Sequence, residues 1–137
     1  GTDFMIYGVG SDILRLDRVQ GVYERHGENF VNRLLMPEEL RLFEYSKNPV
    51  RFLTMRFAAK EAIVKAMGTG FANGMWIRDC GTVPDRLGKP LVIFSARGQA
   101  KCAALGIGSG HLTLTDEAGL VVAFAALECA VPDSQRT

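Results

Sequence analysis

R-F-L-T-M-R-F-A-A-K-E-A-I-V-K-A-M-G-T-G, residues Arg51 to Gly70, is a stretch of helical length without proline that ends in glycines. Wound at about 100° per residue, it sets Phe52, Leu53, Phe57, Ile63, Val64 and Met67 on one broad arc and Ala58, Ala59, Ala62 and Ala66 on another. Almost no solvent face remains. A helix apolar nearly all round is a buried helix, and its alanines let a neighbouring strand or helix come very close. Arg56 and Lys60 nevertheless point into the apolar arc, and Glu61 and Lys65 lie one turn apart. Charges are rarely buried unless paired or bound to something. Two readings stay open. The cations snorkel to the rim and Glu61 with Lys65 is an ordinary i,i+4 surface pair, or three cations and a carboxylate surround an anion and a metal. The Gly68-Thr69-Gly70 turn leans to the second, because glycine lets backbone N–H groups approach a phosphate, although glycine also simply ends helices.

The remainder of the chain narrows the setting. At 137 residues and 47% hydrophobic content it suits one well-packed domain, expected over residues 5–129. Met5 reads as a native start, with Gly1 to Phe4 a remnant without structural weight, and residues 130–137 as a fraying tail. The net charge of +1, with both signs spread throughout, gives no support for nucleic-acid binding. No apolar run approaches the ~20 residues that span a bilayer, so no membrane association and a cytoplasmic location are expected. Cys80, Cys102 and Cys129 lie far apart and outside any C-x-x-C pair, as free thiols of a reducing compartment do. With only His26 and His111 present, any metal would take oxygen ligands.

In chain order, Met5 to Asp12 reads as a short buried strand whose glycines permit close packing and whose end presents Asp12. That carboxylate is placed for a metal, yet taken alone Ser11-Asp12 equally caps a helix beginning at Ile13. Ile13, Leu16, Val19 and Val22 recur at helical spacing, so Asp12 to Glu24 reads as a helix with Arg15, Arg18 and Arg25 on one exposed side. Those arginines are a solvated face or a docking surface for an acidic protein. Short helices follow over Asn29 to Met36 and from Pro37. Met75 to Val83 and Leu91 to Phe94 read as strands around the Asp85 to Pro90 turn. Ser95 caps a helix over Ala96 to Leu105, Gly106 to Gly110 is a flexible connection, and strands from His111 and over Leu120 to Glu128 close the fold. The order of elements indicates an α+β domain with a mainly antiparallel sheet packed against the long central helix. A first strand and a buried helix on one sheet can bring Asp12 and Glu61 together, two hard ligands of the kind Mg²⁺ accepts. The chemistry this suits is attack at a metal-bound phosphoryl group.

G-V-G-S-D ending at Asp12, followed by Arg18, and R-F-A-A-K-E-A-I-V-K-A-M-G-T-G from Arg56 to Gly70 resemble the two signature motifs of holo-acyl-carrier-protein synthase, the bacterial 4′-phosphopantetheinyl transferase family. L-G-K-P at Leu87 to Pro90 and the H-L-T-L-T-D-E strand from His111 resemble it in type and order. The resemblance implies transfer of phosphopantetheine from coenzyme A to a serine of apo acyl carrier protein, releasing adenosine 3′,5′-bisphosphate, within fatty acid biosynthesis. It implies that Asp12 and Glu61 hold Mg²⁺ against the pyrophosphate and that Asp12, Glu61 and Lys65 are catalytic. Arg56, Lys60 and Lys65 would bind coenzyme A phosphates, with Gly68, Thr69 and Gly70 against the nucleotide. Arg15, Arg18 and Arg25 would dock the carrier protein, and a homotrimer with sites between subunits is expected. Some members carry a histidine where this chain has Asp116, whose role is left unassigned. The alternatives are a non-catalytic coenzyme A or nucleotide-binding module and a Mg²⁺-dependent phosphohydrolase.

Overall fold

Asn48 and Pro49 start the central helix, and Gly68 stops it. The Asn48 side chain accepts the Arg51 N–H at 3.2 Å, Pro49 fills the first turn, and Gly68 at φ +80° returns its N–H to the last carbonyls. A computed structural model describes residues 5–131. The expectations for residues 1–4 and for the tail beyond Val131 lie outside the described residues. The elements are β1 (Ile6–Arg15), α1 (Leu16–His26), α2 (Glu28–Leu34), α3 (Pro37–Phe43), α4 (Pro49–Met67), a 3₁₀ turn (Ile77–Asp79), β2 (Cys80–Pro84), β3 (Pro90–Phe94), α5 (Ala96–Leu105), β4 (Ile107–Glu117) and β5 (Leu120–Cys129). The class is α+β as expected. All pairing is antiparallel, divided between a three-stranded sheet in the order β1-β5-β4 and a separate β2-β3 hairpin.

Several boundaries differ from the sequence reading. β1 continues past Asp12 to Arg15, because β5 pairs with it through Asp12↔Ala123, Ile13↔Val122 and Arg15↔Leu120. Asp12 therefore lies inside a strand, caps no helix, and α1 begins at Leu16. β1 is also an edge strand with exposed positions rather than a buried one. Gly106 to Gly110 is no loop beyond the αL cap at Gly106; β4 starts at Ile107 and passes through a register irregularity before Gly110. Within Met75 to Val83 the first half forms the 3₁₀ turn, where the Asp79 carboxylate accepts the Trp76 N–H at 2.8 Å. The β4–β5 turn carries positive φ at Ala118 and Gly119, the two-residue geometry that matches strand twist.

α4 is the wall between two cores. On one side its Ala58, Ala59, Ala62, Ile63 and Ala66 pack against Val121, Ala123, Ala125 and Leu127 of β5 and Leu112 of β4. On the other, Leu53 joins Val19 of α1 and Val31, Leu34 and Leu35 around α2. Gly8 and Gly10 bring β1 onto α4. A Cβ on Gly8 would lie 2.1 Å from the Ala66 carbonyl oxygen, and one on Gly10 would lie 2.2 Å from that of Ala62. These are backbone atoms of a buried helix and have nowhere to move. Gly10→Ala is expected to lower stability by about 2–3 kcal/mol through overpacking, read as a shifted urea midpoint at constant slope. A loss under about 0.5 kcal/mol would show that β1 is not held against the helix backbone.

Candidate active site

The side-chain period of a strand is two, so β1 turns residues 8, 10 and 12 toward α4. The first two are the glycines in backbone contact with the helix, and the third delivers a carboxylate to its surface. Lys65 Nζ donates to Asp12 Oδ1 at 3.2 Å and to the Ser11 carbonyl at 3.0 Å. Glu61 sits one turn before Lys65. Burial pushes the Glu61 carboxyl above its ordinary range and the Asp12 charge adds to that, while Lys65 and Arg18 pull it down. Asp12, Glu61 and Arg18 line one cleft of about 230 Å³ whose apolar wall includes Val19, Phe30 and Phe57.

Two carboxylates are thus held close enough to repel, on a cleft with a cationic rim. Among the described residues no group of three or more His, Cys, Asp and Glu side chains converges. The protein supplies two hard oxygen donors at this place, leaving further positions to water and ligand oxygens. That donor set fits Mg²⁺, which is bound through one or two carboxylates plus substrate phosphates.

The cations of α4 divide between two faces. Lys60 is a correction to the phosphate-binding expectation: its side chain is fully buried, donating to Glu39 Oε1 at 2.7 Å and to the Cys80 carbonyl at 2.5 Å. It is four residues from Arg56 and shares that face. The Arg56 guanidinium stacks at 3.9 Å from the Phe52 ring centroid, and burial lowers its pKa, opposed by Glu39 and reinforced by Arg51. Its Nε is buried without a hydrogen-bond partner. Arg56 is not among the residues lining the Asp12–Glu61 cleft.

The Gly68-Thr69-Gly70 turn also differs. The N–H of Gly68 donates to the Lys65 carbonyl at 3.1 Å, and those of Thr69 and Gly70 both donate to Val64 at 3.2 Å. The buried Thr69 hydroxyl donates to the Gly70 carbonyl at 2.8 Å. The turn is a helix C-cap whose N–H groups are already engaged, so it offers no N–H cradle for phosphate. Of the expected docking arginines, Arg18 reaches the cleft, Arg25 is exposed in the last turn of α1, and Arg15 pairs with Asp17 at 3.2 Å.

The sequence reading missed Glu39 as a partner. Its carboxylate accepts from the Met36 N–H at 2.9 Å, from Lys60, and from the Thr82 N–H at 3.1 Å, tying α3, α4 and β2 together. The available signal was a lysine inside an apolar arc, which demands an acid somewhere, but several acids answer that description. Asp116 finds its place in a bidentate pair with Arg51, at 2.9 and 3.0 Å, between β4 and the first turn of α4. The aromatic wall of Phe30 and Phe57 carried no motif.

A family model described as the 4′-phosphopantetheinyl transferase superfamily matches residues 8–125. A holo-[acyl-carrier-protein] synthase of Vibrio cholerae is 44% identical over 124 residues, covering 90% of this chain and 98% of that one. The solved holo-[acyl-carrier-protein] synthase of Neisseria meningitidis superposes with a TM-score of 0.86 at 39% identity, over 90% of this chain and 98% of its own. That of Bacillus anthracis, solved in complex with CoA (3′,5′-ADP), has a TM-score of 0.76 at 30% identity, over 92% and 99%.

A raised carboxyl pKa has a definite consequence for stability. The folded chain holds the Glu61 proton above the ordinary value of 4.5, so stability is full below that value and falls as pH rises through the folded pKa. Glu61→Gln is therefore expected to melt about 1–3 °C above the parent at pH 7.5 in EDTA, with the difference vanishing near pH 4. A variant less stable than the parent at pH 7.5 would contradict the burial and Asp12 repulsion ascribed to Glu61.

Proposed function

The chain belongs to the 4′-phosphopantetheinyl transferase superfamily, and from that premise we propose how its residues carry out holo-[acyl-carrier-protein] synthase chemistry. The protein transfers the 4′-phosphopantetheine group of coenzyme A to a serine of apo acyl carrier protein. The serine oxygen forms a bond to the phosphorus that carries pantetheine. The bond from that phosphorus to the oxygen of the adenosine bisphosphate breaks, and adenosine 3′,5′-bisphosphate leaves. The observation that carries the assignment of residues is the meeting of Asp12, Glu61 and Arg18 around one cleft, with Lys65 paired to Asp12 beside it.

Asp12 and Glu61 would hold Mg²⁺ together with pyrophosphate oxygens. When bound, the ion supplies charge neutralisation on the pyrophosphate and polarisation of the phosphoryl group under attack. The raised Glu61 carboxyl, owed first to burial and then to the Asp12 charge, supports this role, since a bound dication favours the ionised form. Lys65 fixes Asp12 from its free side and, at 52% side-chain exposure, keeps donors available for a phosphate oxygen. Val19, Phe30 and Phe57 limit water at the cleft wall, which strengthens every charge interaction there. Arg56 remains a candidate for a coenzyme A phosphate because its guanidinium has an unsatisfied donor and the nearby Arg51. Gly68 and Gly70 pack against the nucleotide by their lack of side chains rather than through their N–H groups.

Arg18, with Arg25, meets the carrier protein, so the serine enters over the rim where Arg18 lies. The assembly is a homotrimer with sites between subunits. Its support is the outer face of the three-stranded sheet, where Val9, Ile13, Val122 and Phe124 are 56%, 60%, 37% and 43% exposed beside one another. The domain is the single unit spanning residues 5–129. No helix among the described residues is long and apolar enough to cross a membrane, and the three free cysteines support a cytoplasmic setting.

Intact-mass spectrometry of apo acyl carrier protein incubated with coenzyme A, Mg²⁺ and the protein tests these roles. A gain of about 340 Da, one phosphopantetheine group, is expected, and both EDTA and Glu61→Gln are expected to lower its rate at least about a hundredfold. Coenzyme A binding without any mass gain would favour a binding module. Release of adenosine 3′,5′-bisphosphate without carrier protein would favour a phosphohydrolase.

A further inference from the structure

An acidic partner needs unpaired positive charge, and on α1 only Arg18 and Arg25 offer it. Asp17 and Glu24 lie on the same helix and temper that charge, Arg15 at the end of β1 is engaged by Asp17, and Glu24 accepts from Gln20 at 3.0 Å. A helix of this length also covers only part of the roughly 800 Å² that each partner contributes to a standard interface. The surface continues beyond it. Val22 and Phe30, on the rim of the carboxylate cleft, also bound a hollow of about 460 Å³ that includes Arg33. Arg33 in turn bounds a third hollow, about 510 Å³, lined with Pro37, Trp76, Ile77, Arg78 and Asp79. The three hollows are neighbours in series, the first and second sharing Val22 and Phe30 and the second and third sharing Arg33, from Asp12 and Glu61 across α2 to the 3₁₀ turn.

The last of these hollows is built for an acidic surface. Arg33 and Arg78 are exposed and carry no ion pair among the described residues. The one acid lining that hollow, Asp79, is 6% exposed and fully engaged. It accepts from the Ser95 hydroxyl at 2.7 Å and the Trp76 N–H at 2.8 Å, and pairs with Arg97 at 3.4 Å. Arg97 also stacks on Trp76, 4.3 Å from the ring centroid, holding the indole in place while leaving it 66% exposed. A rigid exposed tryptophan flanked by free arginines has the composition of a protein-docking hot spot.

We propose that Arg33, Trp76 and Arg78 form a second docking patch for an acidic face of the acyl carrier protein, at the far end of the series of hollows that starts at the reacting carboxylates. The patch rests on the reading of the chain as a carrier-protein modifying enzyme. It extends the footprint past α1 and fixes the carrier's orientation, so that charge at the far end steers the serine toward Asp12 and Glu61.

Trp76 is the only tryptophan of the chain, so its emission reports on the patch directly. Titrating apo carrier protein is expected to shift Trp76 emission with a midpoint near the carrier KM, whereas coenzyme A alone leaves it unchanged. The double variant Arg33→Glu/Arg78→Glu is expected to raise the carrier KM about tenfold or more, with kcat at saturating carrier and the coenzyme A KM within about twofold of the parent. An unchanged carrier KM, or an emission shift and raised KM for coenzyme A instead, would overturn the patch. Arg18→Glu separates the two surfaces: if it leaves the carrier KM untouched while the double variant raises it, the α1 docking reading fails and the patch stands. Absence of transfer by the parent protein would overturn the patch together with the reading beneath it.

Discussion

The contact between the backbone of β1 and the backbone of α4 is the constraint on which the site depends. Gly8 and Gly10 lie against the carbonyls of Ala66 and Ala62, at a separation that admits no side chain on the strand. Because strand side chains alternate, the next residue turned toward the helix is Asp12. The helix meets it with Glu61 and Lys65, one turn apart. Small residues on both elements thus convert a packing requirement into a fixed placement of two carboxylates and an ammonium. The cost appears in the raised Glu61 carboxyl, a local destabilisation of the kind that functional sites retain.

The other face of α4 is anchored differently. Lys60 and Glu39 form a fully buried pair, and every oxygen of Glu39 is occupied by a donor from α3, α4 or β2. Such a pair adds little net stability over apolar residues of the same shape, yet loss of one partner typically costs about 3–5 kcal/mol. Gly81 accommodates the carboxylate, since a Cβ there would lie 2.7 Å from it. The result is a helix gripped from two sides, close glycine packing on the face that carries the two carboxylates and a buried ion pair on the face of Lys60.

Much of this was legible in residues 51–70. The nearly all-round apolar pattern gave a buried helix, the alanines gave close approach, and Glu61 with Lys65 gave a charged edge; the structure has all three. The Asp85 to Pro90 hairpin and the Ser95 cap also follow from local turn and cap chemistry, with Ser95 Oγ accepting the Gly98 N–H at 3.0 Å. What failed was non-local. Ile13 and Leu16 fit a helical period, but the pairing of Ile13 with Val122 and of Arg15 with Leu120 of β5, over a hundred residues later, keeps the chain extended to Arg15. Lys60 and Lys65 look alike in sequence, and only the position of Glu39 distinguishes a buried structural cation from one at the cleft. Glycines at the end of a helix likewise suit either a cap or a phosphate cradle, and the carbonyl of Val64 takes the N–H groups that a cradle would need.

The most direct measurement is calorimetric titration of coenzyme A into the parent protein and into Asp12→Asn, each in Mg²⁺ and in EDTA. If the strand–helix contact builds a two-carboxylate metal and phosphate site, Mg²⁺ tightens coenzyme A binding by at least about tenfold in the parent, and that gain disappears when Asp12 loses its charge. A Mg²⁺-dependent gain of equal size in Asp12→Asn would contradict the assignment and place the metal elsewhere.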